Sequence, residues 1–188
     1  MTTTPVLPPQ SLTAPWHYYG AAPVSAPVGP VVKAYIDGVA QRLRADEVRA
    51  GQLWIDPLWA FGGAVRLGTR GSTRELLLAV AAVERVTLAA AEDFPRRVRE
   101  FARRAVAGTG RGGALSVAVL VSERVHPEAP SRVTATARWG AGVLPVVVDL
   151  GARQLTVAAN TPVSGFRTFG QLRRQAWHYL PDPHRIPS

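Results

Sequence analysis

Apolar and polar residues alternate with one period in the first part of the chain and another in the second, and the change predicts the elements. From Val31 to Ala50 the residues Val32, Ile36, Val39 and Leu43 recur at helical spacing, Arg42, Arg44, Asp46, Glu47 and Arg49 crowd toward the end, and Gly51 closes the helix. A second helix is expected from Ser72 to about Ala91. Its start reads Ser72-Thr73-Arg74-Glu75, the S-x-x-E capping box, and the run Leu76, Leu77, Val80, Val83, Leu88 continues from it. A third follows in the stretch Asp93 to Gly113, DFPRRVREFARRAVAGTGRGG. There Val98, Phe101, Ala102 and Ala105 share one face and Arg96, Arg97, Arg99, Arg103 and Arg104 the other. Asp93 is the expected N-cap, Pro95 suits the first turn, and Gly108 and Gly110 end the helix.

From Ala114 onward the period becomes that of strands. Ala114 to Glu123, Arg132 to Trp139, Val143 to Leu150 and Arg153 to Asn160 are β-rich runs separated by turn residues, which predicts an antiparallel meander. In the second run Arg132, Thr134, Thr136 and Arg138 alternate with Val133, Ala135, Ala137 and Trp139, so one face reads as polar and basic. Pro145 marks its strand as an edge or a bulge. A closing helix spans about Phe169 to Leu180. Between the first two helices, Gln52 to Gly63 holds Trp54, Trp59 and Phe61, a tryptophan pair that reads as core, and Ala64 to Gly68 reads as a short strand. The expected fold is therefore α+β: a helical N-terminal half on a mainly antiparallel sheet of about four strands, with a C-terminal helix.

Residues 1–30 change the domain picture. They hold Pro5, Pro8, Pro9, Pro15, Pro23, Pro27 and Pro30 and no formally charged side chain, so they read as an extended arm in front of a single domain at 31–188. The cluster Trp16, His17, Tyr18, Tyr19 suits docking of the arm onto the body or a neighbouring subunit, and homo-oligomers formed through the arm are an expectation. No run of 18 apolar residues and no signal-peptide pattern occurs, which predicts a soluble, cytoplasmic protein with no membrane partner.

Charge brings in the chemistry. The formal net charge is +9, and all but Lys33 of the 22 basic residues are arginine. Arginine recognises phosphate with a planar bidentate fork, so the excess suits a polyanion; a GC-rich coding sequence also produces it. Cysteine is absent, which excludes disulfides, thiolate metal sites and a cysteine nucleophile. The histidines His17, His126, His178 and His184 fall in neither H-E-x-x-H nor H-x-E, and no G-x-S-x-G elbow occurs. Asp149 followed by Gln154-Leu155-Thr156 has the acid and glutamine of a restriction-type nuclease core but lacks its lysine. GTGRGG at Gly108 to Gly113 follows a helix and precedes a strand, the reverse of a dinucleotide-binding loop. No catalytic residue, metal or cofactor is expected.

What remains is nucleic-acid binding without sequence specificity. Arg96, Arg97, Arg99, Arg103, Arg104, Arg111, Arg138, Arg173 and Arg174 are the expected backbone contacts, and Trp139 and Trp177 the expected base-stacking platforms, a combination that favours single strands. Arg66, Arg70 and Arg74 surround the expected helix start at Ser72 and Thr73, which would make a terminal-phosphate pocket; a plain cap needs no ligand. The competing class is a protein-interaction or assembly module that binds no nucleic acid. In length, in basic alanine- and arginine-rich composition, in lacking cysteine, and in the stretches PRRVREFARRA, RVTATARW and GQLRRQAWHYL, the chain resembles the DNA damage response protein D family of the deinococci. That resemblance implies a stress-induced, nucleoid-associated protein that binds DNA and assists genome maintenance after damage.

Overall fold

Hairpins build the first half of the sheet and helical crossovers the second. The structure, a computed structural model, describes residues 28–69, 72–106, 115–136, 142–158 and 166–187. Helix α1 (Pro30–Ala45) leads into β1 (Ala50–Ile55), β2 (Leu58–Thr69) and β3 (Ser72–Ala82), a consecutive antiparallel meander. Helix α2 (Leu88–Val106) then carries the chain to β4 (Leu115–Ser122), and α3 (Ala129–Thr136) to β5 (Val143–Asp149), both parallel to the strand before. A tight reversal adds β6 (Gln154–Val157) antiparallel, after which α4 (Phe166–Tyr179) and a single 3₁₀ turn (Pro183–Arg185) complete the order. The result is one six-stranded sheet in the order β1-β2-β3-β4-β5-β6.

This is α+β, but not the predicted arrangement. The sheet is mixed and six-stranded, with helices interspersed along the chain, where an N-terminal helical half over a four-stranded antiparallel sheet was expected. The difference comes from β1 and the first part of β2, which were not expected as strands, and from three local misreadings. The expected helix at Ser72 is β3, whose Ser72 opposes Thr69 of β2, so the S-x-x-E pattern caps nothing. Leu76 to Ala81 are all buried, and alternate residues enter opposite cores, so the continuous apolar run is a strand covered on both faces. The expected strand from Arg132 is instead α3, where Ala129 and Val133 bury one helical stripe at i, i+4, and its alternation of polar and apolar residues carries no basic sheet face. Helix α2 begins at Leu88, with Thr87 Oγ1 accepting the N–H of Ala90 at 3.1 Å, and Asp93 and Pro95 fall inside it. Burial of Ala91 and Phe94 holds the turn that precedes the proline.

Two smaller corrections follow. Helix α1 stops at Ala45, and Ala50 already belongs to β1. Pro145 sits on β5 between β4 and β6, not on an edge strand. Its carbonyl accepts from Ala158 on the β6 side, just past the last ladder pair Val146 and Val157, so the missing donor falls where β6 has run out.

Alternation along β4 sets the layers. Val117, Val119 and Val121 face a core shared with Val32, Tyr35, Val39 and Leu43 of α1 and Leu172, Ala176 and Tyr179 of α4. Ala118 and Leu120 face the other core, with Ala91, Phe94, Val98 and Ala102 of α2 and Ala129 and Val133 of α3. Helices α1 and α4 thus cover one face, α2 and α3 the opposite one. Where β2 passes closest to β3 the sequence has Gly62, because a Cβ there would run into the backbone of Leu78.

Candidate nucleic-acid interface

Burying Ala91, Phe94, Val98 and Ala102 of α2 turns Arg96, Arg103 and Arg104 outward, while Arg97 and Arg99 flank the buried stripe half-covered. Because the helix starts at Leu88, it also contains Glu92 and Asp93 besides the exposed Glu100, and the two acids that pair with arginines lie in its N-terminal half. In the N-terminal half Arg96 pairs with Asp93, and Glu92 with Arg132 of α3 at 3.5 Å. Arg97 donates to the carbonyl of Asp56, in the turn between β1 and β2, at 2.9 Å. In the last turn Arg103 and Arg104 are exposed and, among the described residues, have no acidic partner. Cations in this position also complement the negative end of the helix macrodipole.

The parallel crossover brings that last turn to the end of the sheet where β4 begins. Among the described residues Leu76 is the first of β3 paired with β4, and before it Ser72–Glu75 continue the β2–β3 ribbon with Arg66–Thr69. Arg66 on this ribbon is exposed and lies 3.9 Å from Glu75, its cross-strand neighbour. Ser72, Thr73 and Arg74 are strand residues here, so the helix N-terminus expected to hold a phosphate does not exist. Arg70, Arg111, Arg138 and Trp139 lie outside the described residues.

The C-terminal candidates are elsewhere. On α4, Leu172 and Ala176 are buried, which leaves Arg174 and Trp177 one turn apart on its outer side, with Trp177 56% exposed. Arg173 donates to the carbonyl of Ala158 at 2.6 Å and fastens α4 to the end of β6. This patch lies across the sheet from α2, so the described basic candidates are split between two faces.

Two features have no signal in the sequence. Asp46, just past α1, accepts from His178 Nε2 at 2.7 Å and from the Tyr179 hydroxyl at 2.8 Å, across more than 130 residues of chain. Both hydrogen bonds, His178 first, hold the Asp46 carboxyl below its ordinary range, while burial and then the Asp46 carboxylate push the Tyr179 hydroxyl up. Arg42 adds bonds to the carbonyls of His178 and Leu180, at 3.1 and 2.8 Å, and completes a polar latch between α1 and the end of α4. The second feature is the tryptophan pair expected in the core. Trp54 is 41% exposed on the outermost strand, with Trp59 beside it at a ring separation of 5.0 Å.

As for the nuclease-like acid, Asp149 and Gln154 do oppose each other, but Asp149 Oδ1 accepts the N–H of Ala152 and shapes the turn between β5 and β6. Among the described residues no three acidic or histidine side chains group as a metal site, and no helix is long and apolar enough to cross a membrane. No family model matches the chain, and neither the curated proteins nor the solved structures contain a match to it.

Proposed function

We propose that this chain is a non-enzymatic DNA-binding protein that prefers single strands or strand ends, reads little sequence, and serves genome maintenance at the nucleoid. The observation that carries the reading is the exposed basic end of α2. Two of its three acids, Asp93 and Glu92, pair with Arg96 and Arg132, the third, Glu100, is exposed, and its exposed C-terminal turn holds Arg103 and Arg104 with no ion pair among the described residues, at the sheet end that carries Arg66. Phosphate oxygens are acceptors that such guanidinium groups bind in bidentate fashion. Arg174 and Trp177 form a separate patch on the far face, suited to stacking one unpaired base.

The test is fluorescence anisotropy with labelled single-stranded and duplex oligonucleotides across a salt series, with and without a 5′ phosphate. The expected result is tight single-strand binding that weakens steeply with salt. Arg103→Ala/Arg104→Ala should lower the single-strand salt slope by about 1.4, since each lost phosphate contact removes about 0.7. Absence of binding at low salt overturns the proposal.

The alternative of an assembly module without nucleic acid has its own support. Arg96, Arg97 and Arg132 are engaged with acids or carbonyls, and the basic residues divide between two faces. The same titration decides between the two.

A further inference from the structure

Among the described residues the two edge strands of the sheet, β1 and β6, are protected very differently. Strand β6 is four residues long, follows Arg153 in a left-handed conformation, and is packed by α3 and by the 3₁₀ turn. Strand β1 is six residues long, AGQLWI, with neither a charge nor a proline. Edge strands usually carry a lysine, a proline or a bulge, because alternate N–H and C=O groups point away from the sheet and template another strand. On β1 none of these is present, and the exposed Trp54 ring lies alongside.

We propose that β1 is the dimer interface of this protein: two copies pair antiparallel along Gly51–Ile55 about a two-fold axis through Leu53, and the sheets join into one of twelve strands. Three observations select a second copy in this orientation. The side-chain parity fits, because a two-fold at Leu53 sets Trp54 opposite Gln52 of the other copy and Ile55 opposite Gly51, each residue keeping its own face. Leu53 and Ile55 then stay on the α2 side, where they are already buried, and Trp54 gains a neighbour on the side where it is open to solvent. Charge is complementary as well. The exposed residue before the strand is Arg49 and the one after it is Asp56, so antiparallel pairing sets each Arg49 near the other copy's Asp56, whereas parallel pairing would align like charges. The strand itself is uncharged, so the contact sets no like charges of this basic chain directly against each other. An axis perpendicular to the sheet leaves both α2 helices on one face of the joined molecule.

The experiment uses the full chain, stripped of nucleic acid, so that its outcome is independent of DNA binding. Light scattering coupled to size exclusion should give the mass of two chains. Gln52→Lys/Trp54→Lys changes two exposed side chains and sets lysine against lysine twice. It should raise the dimer dissociation constant at least about tenfold, with an unchanged circular dichroism spectrum. The natural absence of cysteine gives a second readout that does not depend on the lysine variant folding. A mixture of Gln52→Cys and Trp54→Cys chains should form a disulfide-linked heterodimer under mild oxidation, and Gln154→Cys, on the guarded edge, should not link. A monomeric wild-type chain, a dimer that survives both lysines, or failure of the mixed cysteines to link overturns the proposal.

Discussion

The two faces of the sheet use their polar groups in opposite ways. On the face covered by α1 and α4, charged and hydroxyl groups tie the two helices to each other: Arg42 binds the carbonyls of His178 and Leu180, and Asp46 gathers His178 and Tyr179. On the face covered by α2 and α3 the buried joint is apolar, built from Ala91, Phe94, Val98, Ala102, Ala129 and Val133, its cross-helix pair Arg132–Glu92 is partly exposed, and Arg96, Arg103 and Arg104 point to solvent. The difference teaches that arginine content alone says nothing about binding. Arg42 and Arg173 are structural clamps, whereas Arg103 and Arg104 are exposed and form no ion pair among the described residues.

Breaking the apolar cores should show the largest effect and no difference between faces. Phe94→Ala, from the α2 side, should cost about 3–5 kcal/mol, and Leu172→Ala, from the α4 side, about 2–5 kcal/mol, both read by urea unfolding. The latch should separate the faces. Arg42→Ala removes a charged donor shared by two carbonyls and should cost about 1.5–3 kcal/mol, whereas Arg97→Ala, whose partner Asp56 is exposed, should cost under about 1 kcal/mol.

Acid sharpens the same contrast. Asp46 is held below its ordinary value of 3.8 by His178 and then Tyr179, so the unfolded chain binds this proton more readily than the folded one. Its contribution is complete above pH 3.8 and is lost as the pH falls through the lowered folded value. Asp46→Asn should therefore flatten the acid limb of stability, measured by unfolding at a series of pH values. The smallest effect on folding is expected at Arg103→Ala/Arg104→Ala, within about 0.5 kcal/mol of wild type, which makes that variant a clean probe of binding.

The sequence disclosed elements whose burial is one-sided or complete and whose ends are well marked. The periodicities of α1 and α4 were legible to within a few residues because each fits the helical period, and the runs at β4 and β5 because they are short, rich in valine and bounded by turn residues. Ser72 to Ala82 was not, since a continuous apolar run satisfies helix and strand alike, and tertiary pairing with β2 and β4 decides it. The start of α2 was hidden by Pro95, which looks like a first-turn residue until the burial of Ala91 and Phe94 is known. At the candidate site the arginines of α2 were legible from helical spacing. Their separation from Arg174 and Trp177 was not, because it depends on which face each helix covers. The Asp46 latch joins residues more than 130 positions apart and leaves no local trace.

The account stands most directly on the salt dependence of single-stranded DNA binding, compared among wild type, Arg103→Ala/Arg104→Ala and Arg174→Ala/Trp177→Ala. It predicts a steep wild-type slope that falls by about 1.4 in the α2 variant and by about half as much, through one lost phosphate contact, in the α4 variant. Equal slopes in wild type and the α2 variant, or no binding by wild type, would contradict it.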